Sequence, residues 1–266
     1  MTIASNTAYI DKTAQIGENV TIEPYAFIGK DVILEDNVTV RTGARVEYAK
    51  IGEGSTIYSG AMIGTEPQDL SYKGEPTSVL IGKNCHIREY ATVNRASGEG
   101  NVTKVGNNCL LMTNAHVAHN CVLEDEVIFA NLATIGGHCQ VGMGAFIGGM
   151  TVAHQNVRIG RMCIISGFSG TRADIPPFAK AAGGPARIVG TNVIGLRRRG
   201  LNQEERSALK NAYKILFYSN LPLSEGIKQV EETINMNEYV EHLLDFCKTT
   251  KRGIIPARTK KTEEEE

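Results

Sequence analysis

The residues best suited to chemistry are histidines, and four of the six fall in three short strings, NAHVAHN, GGHCQ and TVAHQ. His119 lies eighteen residues before Gly137 and thirty-six before Gln155, and those two positions adjoin His138 and His154. If eighteen residues make one coil, His119, His138 and His154 rise along one face in consecutive coils, with neighbours roughly 5 Å apart. His116 stands one short turn before His119. An imidazole can take up a proton near neutral pH, and the adjacent Gly136 and Gly137 offer backbone N–H donors to a developing oxyanion. Taken singly, each histidine reads as a surface or subunit-contact imidazole. Four in one patch point to a site.

A six-residue beat must position them. An aliphatic residue recurs at Ile10, Ile16, Ile22, Ile28, Leu34, Val40 and Val46, then, after one residue is dropped, at Ile51, Ile57 and Ile63. The phase resumes at Ile81, Ile87 and Val93 and runs from Val105 to Ile165. This is the signature of a parallel β-helix of hexapeptide repeats, each hexad being one short strand and a bend. Three hexads form a triangular coil, which gives nine or ten coils and a prism on the order of 45 Å long. TEPQDLSYKGEPTSVL and NRASGEGNVTK interrupt the beat without losing its phase, so they read as loops replacing hexads, natural places for ligand contacts.

Past Pro176 and Pro177 the period becomes helical. Asn202 and Glu205 form a capping-box pattern before Leu209, Ala212, Tyr213, Leu216 and Phe217. Ser224 marks a second helix, and Met236, Val240, Leu243, Leu244 and Cys247 share one face of a third. The expected organisation is a β-helix over residues 1–190, a helical domain over 191–255 that caps the open end of the solenoid, and a disordered tail over 256–266.

Composition narrows the function. A net charge of −1 argues against nucleic acid as a partner, and no run approaches the roughly 18 apolar residues of a membrane span. With no basic-then-apolar leader at the start, a cytoplasmic protein is expected. Five of the six cysteines, Cys85, Cys109, Cys121, Cys139 and Cys163, fall four residues after a beat aliphatic, in a slot otherwise filled by alanine. They read as small buried hydrophobes, with Cys247 on an apolar helix face, and not as disulfides or metal ligands.

The strings PQDLSYKGEPT, LLMTNAHVAHNC, IGGMTVAHQ, DIPPF and GLRRRG, in this order on such a solenoid, resemble the UDP-N-acetylglucosamine O-acyltransferases of lipid A biosynthesis. The resemblance covers nearly the whole chain. It implies a left-handed helix, an exception to the usual hand of parallel crossovers, and a homotrimer with active sites between subunits. It also implies transfer of an (R)-3-hydroxyacyl chain from acyl carrier protein to the 3-position of the UDP-sugar, without metal or organic cofactor. His119 matches the general base and Gly137 the backbone oxyanion donor. Gln68, Asp69, His116, His138, His154 and Gln155 match substrate-lining positions, and Asn192 and Arg198 match nucleotide contacts. Gly149 and Gly167 match places that leave room for the acyl chain. Arg197, Arg198 and Arg199 make a basic patch for the acidic carrier, or, more plainly, a solvated helix end.

Three residues depart from the family pattern: Asn120 where many relatives carry Asp, Ser71 where many carry Lys, and Asn94 where His is common. They leave open N-acylation of a 3-amino UDP-sugar. Two further readings stand beside the acyltransferase. One is a zinc-dependent carbonic anhydrase of the hexapeptide class, disfavoured because His116 and His119 are three apart and not five. The other is a non-catalytic scaffold.

Overall fold

The computed structural model describes residues 2–258. It is a left-handed parallel β-helix of about ten coils followed by a helical segment. Three parallel sheets of short strands form the faces of the prism, and the register repeats the coil: Val117 pairs with Ile135, and Ile135 with Ala153. Ile57 pairs with Ile87, and Val93 with Val117, so both interrupting loops leave the ladder in phase.

Every beat residue from Ile22 to Ile165 is at most 2% exposed, stacking on its equivalents in a dry column along the axis. Burial of each such side chain is worth about 1.5–3 kcal/mol, and the β-branched ones suit the pleated wall. Ile10 and Ile16 keep some exposure because no complete coil covers the amino-terminal end. The corners have their own rule. At most corners the residue three places after the beat aliphatic takes a left-handed backbone, as at Asn19 (φ 53°), Asn84 (φ 54°), Asn120 (φ 58°) and Asn156 (φ 61°). Asparagine tolerates that region better than most residues. His138, with φ 61°, occupies the same kind of corner. All six cysteines are buried free thiols, as their phase predicts.

Among the described residues four helices follow, α1 (Val193–Arg198), α2 (Gln203–Tyr218), α3 (Leu223–Thr233) and α4 (Glu238–Lys248). The Asn202–Glu205 capping box is formed, and Leu209, Ala212, Tyr213 and Leu216 are buried. Helix α3 begins earlier than Ser224 suggests, with Pro222 at its cap position. Met236 precedes the Asn237 cap of α4 and stays partly exposed, whereas Val240, Leu243, Leu244 and Cys247 are buried. Helix α1 had no periodic signal, being a single short turn and a half.

After α4 the chain returns to the solenoid. Asp174, 1% exposed, accepts the Arg158 backbone N–H at 2.8 Å and the Thr250 hydroxyl at 2.7 Å, and its backbone bridges Ile254. Residues 256–258, placed in the tail by sequence, instead pair with Ile188. The rest of that expected tail, 259–266, lies outside the described residues.

Candidate active site

His119 projects from the corner after strand His116–Val117, and its ring lies against Gly137 of the next coil. A Cβ built on Gly137 would stand 2.6 Å from Nε2. Only a residue without a side chain lets the imidazole settle there. The His119 and His138 rings meet edge to face, with centroids 5.3 Å apart. His116 is set beside them by its strand, opposite Thr92 and Thr134, and its Nδ1 is 2.7 Å from the Thr92 hydroxyl. Burial, and then the neighbouring His119, hold His116 below the ordinary imidazole range. The same two causes lower His138, opposed by Asp69.

His154 keeps different company. Its Nδ1 is 3.3 Å from the Gln155 carbonyl and 3.5 Å from Arg252 Nη2, a residue of the returning carboxy-terminal segment. With Val152, Thr171, Arg172, Pro185 and Ile255 it lines a cleft of about 680 Å³. Of the expected column His119, His138 and His154, only the first two touch; His116 completes a close trio with them, and His154 is engaged by Arg252 instead. Arg252 was missed because nothing in its local sequence says that the chain folds back.

The two loops close over the trio. Asp69 Oδ1 accepts the Ser71 backbone N–H at 2.9 Å and the Ser71 hydroxyl at 2.8 Å. These bonds, the Ser71 backbone N–H foremost and the Ser97 hydroxyl next, hold the Asp69 carboxyl down at about 2. Its other oxygen is 4.0 Å from His119 Nδ1. Ser71, a departure at sequence level, is therefore what presents Asp69. Asn94, also a departure, is 4% exposed and donates to Thr65 Oγ1 at 3.0 Å and to the Glu66 carbonyl at 2.8 Å, pinning the start of the first loop. Gln68 is exposed beside Asp69.

Asn120 accepts at Oδ1 from Ser97 of the second loop, which sequence reasoning did not single out, and lies 2.8 Å from His119 Nδ1. Its own backbone N–H donates to the fully buried Thr103 hydroxyl at 2.8 Å.

The remaining expected residues fall into two groups. Gly149 and Gly167 stack on each other, a Cβ on Gly167 reaching the Gly149 carbonyl at 3.1 Å, beside the exposed Met150 and Phe168. Asn192 caps α1: its Oδ1 accepts the Gly195 N–H at 3.1 Å and its Nδ2 donates to the Met162 carbonyl at 2.9 Å. Arg199 is paired with Glu126 at 2.8 Å, while Arg197 and Arg198 occupy the last turn of α1. Among the described residues no group of three or more His, Cys, Asp or Glu side chains is arranged to hold a metal ion.

A prism of hexapeptide coils defines the chain as a hexapeptide-repeat protein of the transferase type. The sequence profile of bacterial transferase hexapeptides matches residues 13–48 and 103–137, and that of UDP-N-acetylglucosamine O-acyltransferase domain 2 matches residues 174–255. The acyl-[acyl-carrier-protein]--UDP-N-acetylglucosamine O-acyltransferase of Campylobacter concisus is 41% identical over 95% of this chain and 97% of its own. The enzyme of that name from Gloeothece citriformis is 47% identical over 79% of this chain and 77% of its own. The crystal structure of a UDP-N-acetylglucosamine acyltransferase from Bacteroides fragilis superposes with a TM-score of 0.93 at 38% identity, covering 95% of this chain and 100% of that one. The chain belongs to the UDP-N-acetylglucosamine O-acyltransferase family.

Proposed function

We propose that the protein moves an (R)-3-hydroxyacyl group from acyl carrier protein to the 3-hydroxyl of UDP-N-acetylglucosamine, with His119 as general base. His119 Nε2 removes the hydroxyl proton as the sugar oxygen attacks the thioester carbonyl. The tetrahedral intermediate places its negative charge on the former carbonyl oxygen, where the Gly137 N–H donates. Collapse breaks the C–S bond, and the proton on Nε2 passes to the leaving thiolate. The observation that carries this reading is the seating of His119 against Gly137, which brings a base and a backbone donor to one corner.

Hexad geometry supports the donor role. At the equivalent place in other coils the N–H donates to a side-chain oxygen, as from Lys83 to Asn107 Oδ1 at 2.8 Å, from Asn107 to Asp125 Oδ1 at 2.7 Å and from Met143 to Glu124 Oε2 at 2.7 Å. An N–H at this place is thus available to an acceptor outside the strand ladder.

Gln68, Asp69, His116, His138, His154, Gln155 and Arg198 would line the acceptor sugar nucleotide, and Asn192 would act through the start of α1. Gly149 and Gly167 would leave space for the acyl chain, and Arg197 with Arg198 would meet the acidic carrier. A homotrimer would bury the exposed column of Leu132, Met150, Val152 and Phe168 beside those glycines. Transfer is direct, because the thiols are sequestered and burial pushes Cys163 and Cys247 up to about 12. The test is turnover with a panel of (R)-3-hydroxyacyl carrier proteins against UDP-N-acetylglucosamine and its 3-amino analogue, read by product mass. O-acylated product is expected; product only from the amino analogue would assign N-transfer, and none from any pair would refute acyl transfer.

A further inference from the structure

We infer that Asn120 is a positioning residue that holds His119 in the tautomer with a free Nε2 lone pair, and that it works because it is an amide, with Asp69 supplying the charge. The inference rests on His119 as the base. The Ser97 backbone N–H, which can only donate, is 2.9 Å from Asn120 Oδ1, and the Ser97 carbonyl, which can only accept, is 2.9 Å from Asn120 Nδ2. The two bonds fix which end of the carboxamide is oxygen. That oxygen then faces His119 Nδ1 at 2.8 Å, so Nδ1 must carry a proton, and in the neutral ring Nε2 is left with the lone pair. The Ser97 hydroxyl, 3.1 Å from the same oxygen, has one proton to give either to it or to Asp69.

An aspartate in this place would keep the acceptor toward His119 but would set an oxygen against the Ser97 carbonyl where Nδ2 now donates. It would also put a second carboxylate beside Asp69, whose Oδ2 is 4.0 Å from the ring. The left-handed backbone of Asn120 suits Asp as well as Asn, so N120D tests side-chain chemistry and not the fold. N120D is therefore expected to harm this chain. It removes a grip on the second loop and favours protonated imidazole, which is not a base.

Two measurements test this. Nitrogen-15 NMR of histidine-labelled resting protein, with His119 identified by its absence from H119A, should show Nδ1 protonated and Nε2 unprotonated, and N120A should give mixed tautomers. The pH profile of kcat/KM for N120D should have its acid limb moved up by about one unit or more, with a plateau about tenfold below the unsubstituted protein. Nε2 protonated in the resting unsubstituted protein, or an N120D profile with unchanged limb and plateau, would overturn the lock. Failure of the base reading looks different: H119A would keep full turnover whatever tautomer the ring adopts.

Discussion

Gly137 and His119 share one space: a Cβ on the glycine would stand 2.6 Å from Cε1 and Nε2 of the imidazole and 3.2 Å from Cδ2. The ring cannot keep its place beside any residue larger than glycine. Gly137→Ala should therefore displace the base with little effect on the dry column beneath it. We expect kcat/KM to fall about 10²-fold, the scale of a misplacement near 1 Å, with a nearly unchanged melting temperature. Steady-state kinetics and a melting curve on the same preparation check this.

Asp69 is held ionised by Ser71 and faces His119 across 4.0 Å. Asp69→Asn keeps an oxygen for the Ser71 N–H but removes the charge that would stabilise the imidazolium in the transition state. A loss of about tenfold or more in kcat is expected. If Asp69 only binds substrate, KM rises instead and kcat is unchanged.

The three consecutive arginines are not equivalent. Arg199 is paired with Glu126 and lies over Gly144, so Arg199→Ala should cost less than about 1 kcal/mol of stability and leave the carrier-protein KM within about twofold. Arg198 has no such pairing among the described residues, and Arg198→Ala should raise the nucleotide KM about tenfold by removing a charged hydrogen bond to the nucleotide. Kinetics with each substrate varied in turn separates the two.

His116, His138 and His242 are all held below the ordinary imidazole range, burial being the first cause in each. Below about pH 6.5 the unfolded chain binds protons at these positions that the folded chain refuses. Stability is thus full above that pH and is lost as pH falls through the lowered folded values. Chemical denaturation at pH 7.5 and pH 5.5 should show the loss, and His116→Asn with His138→Asn should reduce it. An equal or larger loss in the double variant would contradict this assignment.

The coil was legible because a hexad admits one inward aliphatic per strand, so Val117, Ile135 and Ala153 announce their own register. The same arithmetic put His138 beside His119, but it set His154 in that column too, where the structure gives it Arg252 instead. Ser97 and Arg252 were not legible in this way, since loop closure and the return of the chain after α4 are tertiary events without a period. The corner rule offered one unused signal: Asn19, Asn37, Asn84, Asn108, Asn114, Asn120 and Asn156 all fall three places after a beat residue. That phase marks Asn120 as part of the scaffold that holds the base. The three departures turn out to be local supports, Ser71 for Asp69, Asn94 for the first loop and Asn120 for the second.

The central claim is that His119 carries the chemistry without carrying the fold. The most direct measurement is kcat/KM of His119→Ala with a matched (R)-3-hydroxyacyl carrier protein and UDP-N-acetylglucosamine, beside its melting temperature. We expect transfer to fall about 10²-fold or more while melting is unchanged. Transfer at the unsubstituted rate by folded His119→Ala protein would contradict the account.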